Sequence, residues 1–364
     1  MGAADRELRA VLLKGSKAKM VNIFITGATG YIGGDTLYEL YNKHPEYSYT
    51  ALVRTPEKGK SVTDKFPKVK IVQGDNDSSD LLKEEASKAD IVIHTADASD
   101  HEGAAKAIAE GLASGHSASK PGYWLHTGGT GILTYFDSSA DKFGEHTDKV
   151  FDDLDGVDEL INLPKEAFHK NVDEIVINAG TNAGSAVKTA IVCPPTIYGD
   201  GRGPSLTRGR QVYELAKSVL EIQAGPLIGG GKAMWNNVHV HDLSRAFVLL
   251  VEEAAKNNTD PKLWGSNGYY FTENGEHVWG ELSKVVAESA KQQGFLKEVK
   301  MEQMDMETAK KTAGFEAVSW GWNSRGKARR FKEVLGWKPQ ERSIEDEVPT
   351  IVKNEHERLQ QEKK

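Results

Sequence analysis

The sequence predicts an α/β protein built on a doubly wound parallel sheet, with a smaller C-terminal α/β lobe beside it. Two observations carry this expectation. Short Ile/Val-rich runs alternate with longer helical segments over residues 20–193, and a glycine-rich turn stands directly between the first run and the first helix. After Tyr198 the texture changes to loop signals, Gly199-Asp200-Gly201-Arg202-Gly203-Pro204 and Gly229-Gly230-Gly231, around a helical stretch.

The strand candidates are residues 21–26, 49–53, 70–73, 91–94, 122–126 and 189–193. The first, fourth and sixth are nearly continuous apolar runs, as expected of parallel strands buried on both faces. Helical segments fall at 32–43, 79–86 and 102–113. Crossovers of this kind are right-handed, and ligands bind at the carboxyl ends of the strands. Further on, a strand at 237–240 runs into a helix at 242–255 with Asp242 as its N-cap; a strand at 269–272 and a helix at 279–292 follow. The acidic stretch 151–155 reads as a solvated loop. The expected layout is a flexible extension at 1–19, a dinucleotide-binding domain at 20–198 that also receives 237–258, a substrate lobe at 199–236 and 259–350, and a polar tail at 351–364.

Composition narrows the function. A net charge of -7 argues against a nucleic-acid or membrane surface, both of which need a basic face. The single cysteine, Cys193 in the apolar run Ala190-Ile191-Val192-Cys193, rules out an internal disulfide and a cysteine-based metal cage and reads as a buried thiol. No apolar run reaches the ~20 residues of a membrane span. Residues 1–19 lack the marks of a secretory signal, and Arg6 stands where myristoylation wants Ser or Thr. The expectation is a soluble, cytoplasmic protein acting on a small molecule, without nucleic-acid or membrane partners; a homodimer is compatible with the sequence but not required by it.

The glycine turn is Thr26-Gly27-Ala28-Thr29-Gly30-Tyr31-Ile32-Gly33-Gly34. Glycines at 27, 30 and 33 give a tight turn, bare backbone against a diphosphate, and a helix start close to the strand. Gly27, Thr29, Gly30, Tyr31 and Ile32 are the expected contacts. After the second strand come Arg54 and Lys58, with no carboxylate at the strand tip itself. Cations there suit a 2′-phosphate, which predicts NADP rather than NAD.

Over residues 20–347 the chain resembles the extended, atypical short-chain dehydrogenase/reductases, the NAD-dependent epimerase/dehydratase-like group with its Rossmann-type domain. The resemblance rests on the glycine turn, Gly74-Asp75, Asp90-Ile91-Val92-Ile93-His94-Thr95-Ala96, Val238-His239-Val240-His241-Asp242-Leu243 and Leu335-Gly336-Trp337-Lys338-Pro339. The phrase Cys193-Pro194-Pro195-Thr196-Ile197-Tyr198-Gly199 is similar to uncharacterised fungal members. The resemblance implies that Asp75 and Asn76 hold the adenine and that Thr95 and Ala96 meet the ribose and phosphates. It also implies that Pro194, Pro195 and Ile197 line the nicotinamide. His239 and His241, on one face of a strand, carry a metal-like spacing, but no further ligand is evident and no metal is expected.

The group's reductases use a Tyr with a Lys four residues on. Over residues 163–174, read as one helix, Lys170 and Glu174 fit the Lys and the Glu that follows it, which leaves Glu166 at the Tyr position. Lys170 is therefore expected to hold the nicotinamide ribose, and the acid is open: Glu166 with a raised pKa, His169, Tyr135, Tyr198 or water. The hydroxyl that polarises a substrate carbonyl is Thr127 or Thr130, in His126-Thr127-Gly128-Gly129-Thr130-Gly131. Where sugar-nucleotide enzymes of the group place an Arg, this chain has Met234-Trp235-Asn236-Asn237; a Trp and amides suit a neutral, partly apolar ligand. The expected function is an NADP(H)-dependent oxidoreductase reducing a small non-nucleotide carbonyl, enone or similar compound, with Lys170, Thr127 and Glu166 at its centre. The alternatives are a non-catalytic NADP-binding redox regulator and a sugar-nucleotide epimerase or dehydratase.

Overall fold

The computed structural model describes residues 20–182 and 186–362, so the expected N-terminal extension lies outside the described residues. Seven strands form the main sheet: β1 (Asn22–Thr26), β2 (Ser48–Val53), β3 (Lys70–Gln73), β4 (Ile91–His94), β5 (Gly122–Thr127), β6 (Val187–Cys193) and β7 (Tyr269–Phe271). Their order is β7-β6-β5-β4-β1-β2-β3, and every pairing is parallel. The apolar runs behave as their composition requires: Ile23, Ile25, Ile91, Val92 and Ile93 are wholly buried, with helices on both faces. Strand order reverses between β1 and β4, which opens a crevice at their carboxyl ends.

The helices are α1 (Tyr31–Lys43), α2 (Pro56–Lys65), α3 (Ser79–Lys88), α4 (Glu102–Gly115), α5 (Lys170–Thr181), α6 (Gln211–Ile222), α7 (Val240–Ala255), α8 (Trp279–Gln292), α9 (Met306–Ser319) and α10 (Ile344–Glu362). A second core lies between α6, α8, α9 and α10, around Val212, Val219, Trp279, Val286, Trp320 and Ile351. Helix α7 instead joins the first core beside α1. Among the described residues no helix is long and apolar enough to cross a membrane.

Four sequence expectations are corrected here. Residues 269–271 extend the main sheet as its seventh strand, with Tyr269 opposite Ile191, and Leu263 and Trp264 pack in the first core rather than in the lobe. Residues 351–362 are no polar tail: α10 buries Ile351, Val352 and Leu359 on one face, a stripe that its many charged residues conceal in the sequence. The N-cap of α7 is His239, whose Nδ1 accepts from the His241 amide (3.1 Å). Asp242 sits one turn in, where its carboxylate accepts from the backbone of Gln340 and Glu341 (3.0 Å each). Finally, Asp153 in the acidic stretch is fully buried, because the amides of Phe271 and Arg330 need an acceptor there (2.9 Å each).

Candidate active site

The turn after β1 is shaped by its glycines. Gly27 adopts φ +75°, a left-handed conformation that favours glycine, and a side chain there would run into Thr95. A Cβ on Gly33 would stand 2.5 Å from the Gly27 carbonyl oxygen, so α1 reaches β1 this closely only without one. Gly30 is the N-cap of α1 and offers no side chain to the free amides of the first turn, which carries no acidic residue either. Those amides and the helix dipole are thus left for an anion. Behind the turn, Thr26 joins β1 to β4: its hydroxyl accepts from the Thr95 amide (3.1 Å) and meets His94 Nδ1 at 2.7 Å. Burial pulls His94 down to about 3, so its ring is neutral and Nδ1 accepts a hydrogen bond from the Thr26 hydroxyl.

A cavity of about 620 Å³ runs from this turn across the carboxyl ends of the sheet. Around the turn after β1 it is lined by Gly30, Tyr31, Ile32, Thr95 and Leu206, whose amide bonds the Thr29 carbonyl, and next to them by Pro194, Pro195 and Ile197. On the far side stand Trp235, Phe315, Arg208, Arg210 and Gln211. Thr127 and Thr130 both line it, and both hydroxyls are buried without a partner. The glycines around them bring the loop down onto the sheet: a Cβ on Gly128 would press on Cys193 Sγ at 2.8 Å.

The segment 163–174 departs from its expected form. Residues 163–169 run as turns, with Ala167 N bonded to the Pro164 carbonyl and Lys170 N to the Ala167 carbonyl, and α5 starts only at Lys170. His169, at φ +67°, makes the break. Glu166 and Lys170 are therefore not one helical turn apart. Glu166 is exposed on the turn and outside the cavity lining, and Lys170 is buried with Nζ donating to the Ile161 carbonyl oxygen at 2.6 Å. Neither takes the role expected of it. Of this segment His169 lines the cavity, and Asp173 lies buried one turn further along α5.

The charges around His169 are strongly perturbed. Its Nδ1 lies 2.7 Å from Asp100 Oδ1. Burial alone would depress the imidazole, but the bond and charge of Asp100, with Asp173 nearby, raise it above its ordinary range. The same hydrogen bond holds Asp100 below the usual carboxylate range. His126, without such a partner, is driven well down by burial. Asp173 is pushed up to about 6 by burial; its Oδ2 accepts from the Tyr269 hydroxyl (2.8 Å), and its Oδ1 has no partner.

The remaining expected residues are placed as follows. Arg54 and Lys58 flank the carboxyl end of β2, next to β1 in the sheet, with Arg54 exposed. Asp75 accepts from the Asp77 amide and the Ser78 hydroxyl, and Asn76 donates to the Ala96 carbonyl (2.6 Å), tying the β3 and β4 loops together. The Thr29 carbonyl accepts from Leu206. The hydroxyls of Tyr31 and Tyr198 are spent on Gly199 and Arg342 carbonyls. The amides of Asn236 and Asn237 are spent too, on Gly326, Gly275 and His277, so of that stretch only Trp235 lines the cavity. His239 and His241 do find a nearby carboxylate, Glu341, with ligand atoms within 4.8 Å of one another. Yet His239 caps α7, His241 Nε2 bonds the Asp200 carbonyl (2.9 Å), and Glu341 takes the Arg245 guanidinium (2.7 Å), which already supplies the positive charge.

Asp100, Phe315 and the left-handed setting of His169 are not legible in the sequence. The left-handed residue that starts α5 has no composition signal, and the others come from segments remote in the chain.

Fold, turn and cavity together define a dinucleotide-binding protein of the doubly wound class. The sequence model of the NAD-dependent epimerase/dehydratase family matches residues 23–262. Oxidase ucsJ of Acremonium sp. is 40% identical over 347 residues, 93% of this chain and 98% of that one. Two solved structures share the fold at 15% identity: UDP-glucose 4-epimerase of Thermotoga maritima (TM-score 0.62, covering 93% of this chain and 100% of the other) and the dTDP-glucose 4,6-dehydratase DesIV of Streptomyces venezuelae, solved with NAD (0.64; 93% and 97%). The chain belongs to the NAD-dependent epimerase/dehydratase family, within the extended short-chain dehydrogenase/reductases, and the uncapped turn of α1 suits that family's nicotinamide dinucleotide.

Proposed function

We propose that this protein is an NADP(H)-dependent oxidoreductase that reduces a small, non-nucleotide carbonyl, enone or similar compound. The observation that carries the reading is the far wall of the cavity. It presents Trp235 and Phe315, and each of its two cations already has a carboxylate partner. Arg208 is held by Glu355 (2.5 and 3.0 Å) and Glu214, and Arg210 by Glu316 (2.6 Å). A nucleotide-sugar diphosphate would find Arg208 already committed to two carboxylates, whereas a neutral, partly aromatic ligand would find matching surface.

When bound, the nicotinamide supplies the hydride. The chain's own residues do the rest: the first-turn amides of α1 hold the diphosphate, and Arg54 with Lys58 face a 2′-phosphate. Pro194, Pro195 and Ile197 wall the ring, and the partnerless hydroxyls of Thr127 and Thr130 donate to the acceptor oxygen. The oxidase name of the Acremonium relative agrees with redox chemistry on such a compound.

The test is fluorescence titration with NADPH and NADH, followed by NADPH oxidation against a panel of aromatic and aliphatic ketones, quinones and enones. Tighter binding of NADPH and turnover of at least one member are expected. Tight binding with no turnover on any member would instead make the protein a redox-state binder. Thermal protection by UDP-sugars would return it to sugar-nucleotide chemistry.

A further inference from the structure

Resting on the reading of this cavity as a site of carbonyl–alcohol chemistry, we propose that His169 exchanges the proton with the substrate oxygen, and that Asp100 holds its ring for the purpose. Three observations converge on it. His169 is the imidazole that lines the cavity, whereas His94 and His126 lie wholly buried in the sheet behind it. Its Nδ1 is committed to Asp100 Oδ1 at 2.7 Å, so Nδ1 carries a proton and the opposite nitrogen is the exchangeable one. And Nε2 faces the bare glycine loop: a Cβ on Gly129 would be 3.4 Å from it, and one on Gly131 3.5 Å. The ring also meets the Ser99 carbonyl, which favours its charged form. The two partnerless hydroxyls, Thr127 and Thr130, belong to the same loop as these glycines.

The backbone is bent to make this possible. His169 holds φ +67°, a left-handed conformation rare for a residue with a Cβ, and Asp97, which opens the short turn carrying Asp100, holds φ +47°. Two such residues on the two segments that meet in the His169–Asp100 bond fit a built site. An ordinary helical residue at 169 would aim its side chain along α5 and not across the cavity.

The reduction step balances as follows. A hydride adds to the carbonyl carbon, the C=O π bond becomes the lone pair of an alkoxide, and that oxygen takes the proton from His169 Nε2. The product is the alcohol, the dinucleotide leaves oxidised, and neutral His169 regains a proton from solvent. Asp100 stays ionised throughout and stabilises the imidazolium before transfer.

The charged and titratable groups around the ring set its pH response. Asp100 lies on the turn after β4, Asp173 on α5 and His126 on β5; Arg210, paired with Glu316, acts on Asp100 from the segment before α6. Lys170 adjoins in the chain, but its ammonium is turned to Ile161. The two carboxylates outweigh burial and the cations, so the imidazolium persists to higher pH than an ordinary histidine. Reduction should be level at low pH and fall as pH rises through that elevated pKa.

The experiment uses the full chain with NADPH and 9,10-phenanthrenequinone, a flat aromatic dicarbonyl, or whichever panel ketone turns over. His169→Gln should lower kcat by about 100-fold or more while the dissociation constant for NADPH stays within about threefold. Asp100→Asn should lower kcat by about tenfold. It should also shift both the pH profile and the His169 imidazole titration, followed by NMR of 15N-labelled histidine, to lower pH. A His169→Gln enzyme that keeps its rate within about threefold overturns the proposal and leaves the redox reading standing. A His169 titration unmoved by Asp100→Asn overturns the pairing even if activity falls, and this measurement also decides the case if His169→Gln does not fold. Wild-type protein that binds NADPH and reduces nothing brings down the redox reading, and this proposal with it.

Discussion

At the scale of single residues, the floor beneath the cavity stores an electrostatic cost. Asp173 is fully buried, its Oδ1 has no partner, and burial pushes it up to about 6 from 3.8. Because the folded pKa lies above the unfolded one, the unfolded chain gives up its proton first. Stability from this group therefore falls as pH rises from about 4 to about 6, and levels off above. Asp173→Asn, which keeps an acceptor for the Tyr269 hydroxyl, removes that loss. Relative to wild type it should gain up to about 3 kcal/mol between pH 4 and pH 7 in urea unfolding, and no gain across that range would show Asp173 to be ionised in place. Neither this nor the His169–Asp100 bond was legible in the sequence. Thr127 and Thr130 were, because a hydroxyl beside glycines at a strand end is a local pattern. A buried carboxylate is defined by what covers it, and Tyr269 and Cys193 come from other strands.

Among elements, the first strand, turn and helix show why some structure reads directly from the chain. The glycines of the turn act within a few residues of each other, so spacing alone conveys their geometry. A pair of substitutions separates their two roles. Gly33→Ala places a methyl 2.5 Å from the Gly27 carbonyl and should force α1 off β1, costing about 2 kcal/mol by thermal denaturation together with loss of NADPH binding. Gly30→Ala meets nothing in the protein nearer than 3.1 Å, so it should leave stability nearly unchanged and weaken NADPH alone. Equal effects from both would place the phosphates elsewhere. Helix α5 is the opposite case. Its expected start rests on matching Lys170 to a family spacing, and the seven residues 163–169 are not helical because a left-handed His169 breaks the chain there without glycine or proline at the break. Pro164 gives no warning of the break, because a proline in the first turn of a helix is tolerated.

For the molecule as a whole, the two cores meet at the cavity and are joined there by charge. Glu355, on the last helix and almost wholly buried, grips Arg208 on the cavity wall with two bonds and also takes Arg358. Glu355→Ala should destabilise the protein by about 3 kcal/mol, since it leaves a partly buried guanidinium short of its partner. It should also raise the affinity of the cavity for anionic ligands such as UDP, read by calorimetry. A neutral-ligand cavity indifferent to this change would mean that Arg208 does not face the ligand.

What the sequence determined by itself is the class of fold, the six leading strands to within a residue or two at every end, the glycine turn between β1 and α1 and several residues that line the cavity. All of these depend on periodicity or on neighbours in the chain, where side-chain alternation and glycine spacing act directly. Tertiary structure alone decided that Tyr269–Phe271 completes the main sheet, that α10 closes the second core and that Arg208 is gripped by Glu355. It also decided that His169 with Asp100, rather than Glu166 with Lys170, lines the cavity. The physical reason is common to these cases. Burial, pairing and aim are set by segments that meet only after the chain has folded.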